Sequence, residues 1–217
     1  MSFTLVTLFA FSITIAAVIG CIRFSRINPA YYPFLYFIWL GFLNEILSFT
    51  LVKFGYTTSL NNNIYVLAES FLIAWQFKNW GIFGKNRLWF IITLSLFFVA
   101  WSIENVFIGS ILKVTFYFRI LYSFIIVLFS VNIINGIIIR ERKNIIKNPV
   151  FLICMGFVIY FTFKVLVQTS WLYGINMSKE FANKVVVIIE SINLFANLIY
   201  ALAILWMPTK HRFTLPS

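Results

Sequence analysis

The run PVFLICMGFVIYFTFKVLVQTSW at positions 149–171 is apolar almost throughout and contains one charged residue, Lys164. A helix of roughly 20 residues crosses the hydrocarbon core of a bilayer, so this run predicts a transmembrane helix. The rest of the chain has the same character. Of its 217 residues 62% are hydrophobic and 20% aromatic, and the mean hydropathy is +0.95. Because a water-facing surface cannot accommodate this composition, we expect an integral membrane protein whose surroundings are the lipid bilayer.

Six other runs are long enough to cross a bilayer, and with 149–171 they predict one all-α, polytopic domain over residues 1–217. The connections are short and include no low-complexity tract, so nothing indicates a second domain. The predicted spans cover approximately residues 3–22, 31–52, 64–80, 88–107, 114–138, 149–171 and 185–206.

The net charge of +11 follows the predicted membrane topology. Most basic residues come after the first, third, fifth and seventh spans: Arg23, Arg26, Lys78, Lys85, Arg87, Arg140, Arg142, Lys143, Lys147, Lys210 and Arg212. The opposite connections contain only Lys53, Lys113, Lys179 and Lys184. Cytoplasmic loops are enriched in lysine and arginine. We therefore expect the N-terminus outside, the C-terminus in the cytoplasm, and no nucleic-acid partner.

Two pairs of dipeptides indicate an internal repeat. Asn28-Pro29 precedes the second span and Asn148-Pro149 the sixth, while Glu69-Ser70 in the third span matches Glu190-Ser191 in the seventh at nearly the same separation. Spans one to three would then correspond to spans five to seven, a 3+1+3 parallel repeat. Transporters built from repeats place their sites near the bilayer midplane.

Ionisable side chains inside apolar runs are costly in a membrane and mark candidate functional sites. Helical spacing places further polar groups on the same faces, and we expect these faces to turn inward. The candidate ligand- or ion-binding residues are Glu69, Glu190, Asn193, Asn197, Glu45, Asn44, Lys164, Gln168, Tyr65 and Tyr160. The same residues also allow a structural interpretation, in which Lys164 pairs with one of the three glutamates and the asparagines join helices. Arg119 and Glu104, near span ends, are expected to snorkel.

Catalytic motifs are missing from the sequence. The one histidine is His211, and there is no aspartate, which excludes histidine-rich metal hydrolases and a Ser-His-Asp triad. No phosphate-binding loop is present. We therefore expect no enzyme activity, no metal and no cofactor, although a carboxylate base acting on a lipid stays open.

Three stretches, NIYVLAE at 63–69, GFVIYF at 156–161 and NLFANLIYA at 193–201, resemble an uncharacterised bacterial family of small seven-helix integral membrane proteins. The resemblance covers most of the chain from the second span onward. It implies a bacterial inner-membrane location, acids at Glu45 and Glu69, and amides at Asn193 and Asn197. Lys164 stands where a small uncharged residue is usual, and Ile189 where histidine is frequent. These departures shift the emphasis from Lys164 to Glu69.

Two functions follow as hypotheses. The first is a protein that binds a small solute or ion and moves it across the membrane. The second is a receptor-like sensor that signals to a separate kinase or regulator, because some members of the resembling family are found beside sensor kinases. A structural subunit whose polar groups merely join helices is the third alternative.

Overall fold

The computed structural model of the chain describes residues 9–84, 86–140, 145–173 and 179–209, without the side chains of Arg140 and residues 179–183. Seven α-helices are present in these ranges. They are α1 (Ile13–Arg23), α2 (Tyr32–Lys53), α3 (Ser59–Asn79), α4 (Arg87–Ser102), α5 (Tyr117–Arg140), α6 (Pro149–Leu172) and α7 (Lys179–Trp206). The predicted all-α class is confirmed, and each predicted span corresponds to one helix. Residues 3–8 of the first predicted span and the basic residues Lys85, Arg142, Lys143, Lys210 and Arg212 lie outside the described residues.

Five stretches are long and apolar enough to cross a membrane. They are Pro29–Lys53, Arg87–Ile108, Tyr117–Ile139, Pro149–Leu172 and Lys184–Trp206. The described part of α1 has only 11 residues. Helix α3 has 21 residues, which is long enough, but its polar side chains make it less apolar than the other five. Spanning is thus supported for five of the seven predicted segments.

Helix α3 begins at Ser59, earlier than the predicted start at residue 64, because its asparagines find partners on neighbouring segments. Asn61 Nδ2 donates to Asn44 Oδ1 at 2.8 Å on α2. Asn63 Nδ2 donates to the backbone carbonyl oxygens of Ile111 and Lys113 at 3.0 and 2.7 Å. These bonds remove the cost of placing amides among apolar helices, and so the helix extends through a polar segment.

The seven helices form a closed arrangement in which sequence neighbours pack side by side. Helix α1 contacts both α2 and α7, α3 contacts α2 and α5, and α6 lies between α5 and α7, while α4 packs on α3 and α5. Hydrogen bonds show that helix directions alternate. Phe34 N, near the start of α2, donates to Gln76 Oε1, near the end of α3, at 2.9 Å. Arg119, near the start of α5, likewise bonds to Asn63, near the start of α3, and Arg23 at the end of α1 bonds to the end of α7. The ends of α1, α3, α5 and α7 therefore lie at one end of the bundle.

Arg23, the last residue of α1, fixes that helix to the end of α7. Its guanidinium donates to the carbonyl oxygens of Ile204 (2.8 Å), Leu205 and Met207 (3.2 Å). The last carbonyls of a helix have no partner within it and carry partial negative charge, so an arginine is well suited to bind them. This contact closes the ring of helices between the first and the last.

Aromatic rings from α2, α6 and α7 pack together in the core of the bundle. Phe34 lies 5.4 Å from the ring of Tyr200, and Phe157 lies 5.7 Å from it, both edge to face. Such pairs stabilise a core beyond the area that they bury. Gly156 permits this packing, since a Cβ added there would lie 2.4 Å from a ring carbon of Tyr200.

The outer surface of the bundle is apolar. At most 33% of the most apolar stretch in any of the five spanning segments is buried, and the exposed side chains include Ile92, Phe98, Phe124 and Leu202. A water-soluble protein rarely exposes continuous apolar surface of this extent. This distribution agrees with a bundle whose outside contacts lipid.

The two Asn-Pro pairs have the same local structure. Asn28 Oδ1 accepts from Ala30 N at 3.0 Å, and Asn148 Oδ1 accepts from Val150 N at 2.9 Å. Each asparagine therefore caps the helical segment that its proline begins. This likeness is local, and the 3+1+3 repeat remains a prediction.

Candidate functional site

A cavity of about 60 Å³ lies inside the bundle, near the middle of α2, α3 and α6 and beside the second half of α7. By volume it has space for on the order of four water molecules. Its walls come from α1, α2, α3, α6 and α7 and from the residues just before α1. The lining residues are Ala10, Ile13, Phe37, Gly41, Glu45, Tyr65, Glu69, Tyr160, Asn193, Asn197 and Tyr200. Six of the ten predicted site residues thus face one cavity.

Glu69 joins this cavity to a buried cluster on the opposite side of its carboxylate. Oε1 accepts a hydrogen bond of 3.0 Å from the Tyr65 hydroxyl, which also lines the cavity. Oε2 accepts from the Tyr122 hydroxyl at 2.5 Å and from Lys164 Nζ at 3.0 Å. Glu69 is only 1% exposed. Each oxygen therefore has partners, as a buried carboxylate requires.

Lys164 is the partner of Glu69, which answers a question that the sequence leaves open. Its ammonium also donates to Tyr122 Oη at 2.6 Å and lies 5.1–5.3 Å from the ring centres of Tyr122, Tyr160 and Phe161. Aromatic faces attract a cation at this distance. Lys164 does not line the cavity. It neutralises Glu69 from the side of the carboxylate that faces away from the cavity.

Glu45 and Glu190 have no such partner, since no lysine or arginine nitrogen lies within 4.0 Å of either carboxylate in the described part of the chain. Glu45 lines the cavity, and Glu190 lies close enough for the two charges to repel. Glu190 also interacts with Asn193 one turn later, but its Oε2 is buried without a hydrogen-bond partner among the described residues. Within the part of the chain that the structure describes, Glu45 thus faces the cavity without a cationic partner, whereas Glu190 lies outside the cavity lining with one buried, unpartnered oxygen.

The two amides of α7 lie in the cavity wall and connect α7 to the segment before α1. Asn197 Nδ2 donates to Ser12 Oγ at 2.8 Å and to Asn193 Oδ1 at 3.3 Å. The structural interpretation of Asn197 as a helix-joining residue therefore holds, and the same side chain also faces the cavity. The two roles are compatible because an amide has more than one donor and acceptor.

Besides Lys164 and Glu190, two further predicted site residues, Asn44 and Gln168, do not line the cavity. Asn44 accepts from Asn61 and joins α2 to α3. Gln168 lies one turn beyond Lys164 on α6, and its Oε1 is buried without a partner in the part of the chain that the structure describes.

Glu104 and Arg119 do not snorkel, contrary to the expectation from their place near span ends. Glu104 is 8% exposed, and its carboxylate accepts from the backbone N–H groups of Phe116, Tyr117 and Phe118 at 2.6–2.8 Å. It reaches them because α4 continues as a π-helix at Ile103–Ile108. Arg119 donates to Asn63 Oδ1 at 3.0 Å. Helix starts expose unpaired N–H groups, and a nearby carboxylate satisfies them better than lipid headgroups would.

Tyr122 and Tyr200 are site residues that sequence reasoning missed. Tyr122 follows Arg119 at i+3 on the buried face of α5, and Tyr200 follows Asn197 at i+3 on α7, so both continue polar stripes. Interpreting Arg119 as snorkelling concealed the first stripe, and ending the α7 stripe at Asn197 concealed the second. Tyrosines near polar positions in a span are the signal that could have identified them.

Comparison of this chain with protein-family models, with curated proteins and with solved structures gives no match.

Proposed function

We propose that this chain is an integral membrane protein that binds a small solute or ion inside its helix bundle and moves it across the membrane. The observation that supports this proposal is the cavity lined by Glu45, Glu69 and the amides of α7. Polar groups that only joined helices would bond to one another and leave no space between them. Here the polar groups bond to neighbours and also surround a space.

The arrangement of Glu69 supports movement as well as binding. One oxygen of its carboxylate bonds to Tyr65 at the cavity, and the other bonds to the buried Lys164 and Tyr122. A solute that binds Glu69 from the cavity competes with Lys164 for the carboxylate. Since charge pairs are strong at low dielectric, such competition can couple occupancy of the cavity to helix positions.

Uptake into proteoliposomes tests this proposal. The probes are methylammonium, rubidium, urea and sulfate, each isotope-labelled, so that cationic, neutral and anionic solutes are covered. We expect at least one to enter faster than in protein-free vesicles, and Glu69→Gln to remove the difference. Ser191→Ala, whose exposed hydroxyl bonds within its own helix to Val187 O, is the matched control. Entry of all four at the protein-free rate contradicts transport.

The location and orientation belong to the same proposal. The basic residues at one end of the bundle and the family resemblance support a bacterial inner membrane with the C-terminus in the cytoplasm. The cavity would then lie near the bilayer midplane, since its lining residues on α2, α3 and α6 come from near the middle of those helices.

A further inference from the structure

Of the three glutamates at or near the cavity, only one has a positively charged partner among the described residues, and this difference favours one charge class of solute. Lys164 neutralises Glu69 at 3.0 Å, whereas Glu45 and Glu190 have no cation within 4.0 Å in the described ranges. Two ionised carboxylates that repel each other among apolar helices are unfavourable, and either a proton or a bound cation relieves the repulsion. An anionic solute would add to the repulsion and is disfavoured.

A second feature, independent of the acids, also points to a ligand. Tyr200 is 3% exposed and lines the cavity, yet its hydroxyl has no hydrogen-bond partner among the described residues. Buried hydroxyls are almost always bonded in folded proteins. The Tyr200 hydroxyl can therefore both donate and accept a hydrogen bond at the cavity wall, whereas the carboxylates can only accept.

The walls favour an organic cation over a metal ion. Phe37, Tyr65, Tyr160 and Tyr200 supply aromatic surface, and ring faces attract ammonium groups. No group of three or more His, Cys, Asp or Glu side chains within the described residues could hold a metal ion. The volume of about 60 Å³ admits only a few non-hydrogen atoms.

We propose that the ligand of this cavity is a small ammonium-type cation, held by the Glu45 carboxylate with Glu190 beside it and by the Tyr200 hydroxyl. This inference rests on the proposed function, since it names the charge class and size of the solute. The ammonium N–H groups satisfy acceptors that the protein leaves unpaired, and the charge offsets the repulsion between the two acids. Glu69 contributes to the wall while its own charge stays balanced by Lys164.

Ligand binding to the purified full chain in detergent tests the inference. Methylammonium chloride is titrated against sodium chloride, tetraethylammonium chloride and urea at matched ionic strength, with thermal unfolding and calorimetry as readouts. We expect methylammonium alone to raise the unfolding midpoint in a saturable way. Equal effects of sodium and methylammonium overturn the inference, as does binding of urea in place of methylammonium.

Variants then assign the binding to these side chains. The double change Glu45→Gln with Glu190→Gln keeps the shape and removes the repulsion, so it is expected to fold at least as well. It should weaken methylammonium binding by about tenfold or more, because charge-assisted hydrogen bonds are lost. Tyr200→Phe should weaken it severalfold, and Ser191→Ala should leave it unchanged. Unchanged affinity in the double variant overturns the inference.

The two proposals fail separately. Saturable binding of methylammonium without uptake of any solute keeps the cation site and contradicts transport, which favours a receptor-like sensor. Uptake of urea or sulfate without methylammonium binding keeps transport and overturns the cation site.

Discussion

At the scale of single residues, the buried ion pair between Glu69 and Lys164 joins α3 to α6 inside the bundle. Neither side chain has another partner of opposite charge within 4.0 Å in the described part of the chain. Removing one member of such a pair leaves an uncompensated charge away from water. The structure therefore predicts strong coupling between these two positions.

Replacing Lys164 with methionine should lower the free energy of unfolding by about 3–5 kcal/mol, since Glu69 then remains buried without its counter-charge. Glu69→Gln should have an effect of the same sign. The double variant should be less destabilised than the sum of the two, because it leaves no unpaired charge. Thermal or denaturant unfolding in detergent measures all three. Additive effects would show that the pair is not coupled.

Glycines at two positions give opposite predictions for the same substitution. Gly156→Ala places a methyl group 2.4 Å from the Tyr200 ring and should lower the unfolding midpoint, because α6 and α7 must separate. Gly136→Ala meets nothing within 4 Å and should raise stability by up to about 1 kcal/mol through helix propensity. Equal effects of the two changes in thermal unfolding would contradict the close contact.

At the scale of helices, Glu104 determines where α5 begins. Its carboxylate binds the N–H groups of Phe116, Tyr117 and Phe118, so Glu104→Ala exposes three donors in an apolar environment. We expect a loss of about 2 kcal/mol, at the upper end of capping effects, and a smaller loss for Glu104→Gln, which keeps one acceptor oxygen. Amide hydrogen exchange at residues 116–118 should accelerate in the alanine variant. Unchanged exchange there would rule out the cap.

At the scale of the whole molecule, the predicted membrane orientation can be tested by labelling one cysteine at each end of the bundle. Cysteines introduced by Tyr56→Cys and Ile146→Cys, after Cys21 and Cys154 are changed to serine, place one thiol between α2 and α3 and one before α6. With the N-terminus outside, an impermeant maleimide added to intact cells should label position 56 and not 146. The reverse pattern would invert the topology.

The fold was predictable from the sequence wherever a helix is uniformly apolar. The predicted span 149–171 differs from α6 by one residue. Asn148-Pro149 fixes the start of the helix, and the apolar sequence that follows is continuous to its end. Helix α3 was harder to place. Asn61 and Asn63 look like loop residues, and only their distant partners, such as Asn44 and Ile111, explain why they are helical.

The candidate site was predictable as a set of stripes but not as a geometry. Periodicity placed Tyr65, Glu69, Asn193 and Asn197 facing inward, and the structure brings them around one cavity. Which glutamate pairs with Lys164 depends on how α3 and α6 pack, and no local pattern contains that information. Tyr122, on α5, hydrogen-bonds to both Glu69 and Lys164. This role depends on how α5 packs against α3 and α6, so the sequence alone does not reveal it.

Charge movement in proteoliposomes tests the central claim most directly, namely that the cavity acids bind a cation and carry it across the membrane. Vesicles on a solid-supported membrane are exposed to a jump in methylammonium chloride at constant chloride concentration, and the transient current is recorded. We expect a saturable current from the wild-type chain and from Ser191→Ala, and none from Glu45→Gln with Glu190→Gln. A wild-type current equal to that of protein-free vesicles would contradict the account.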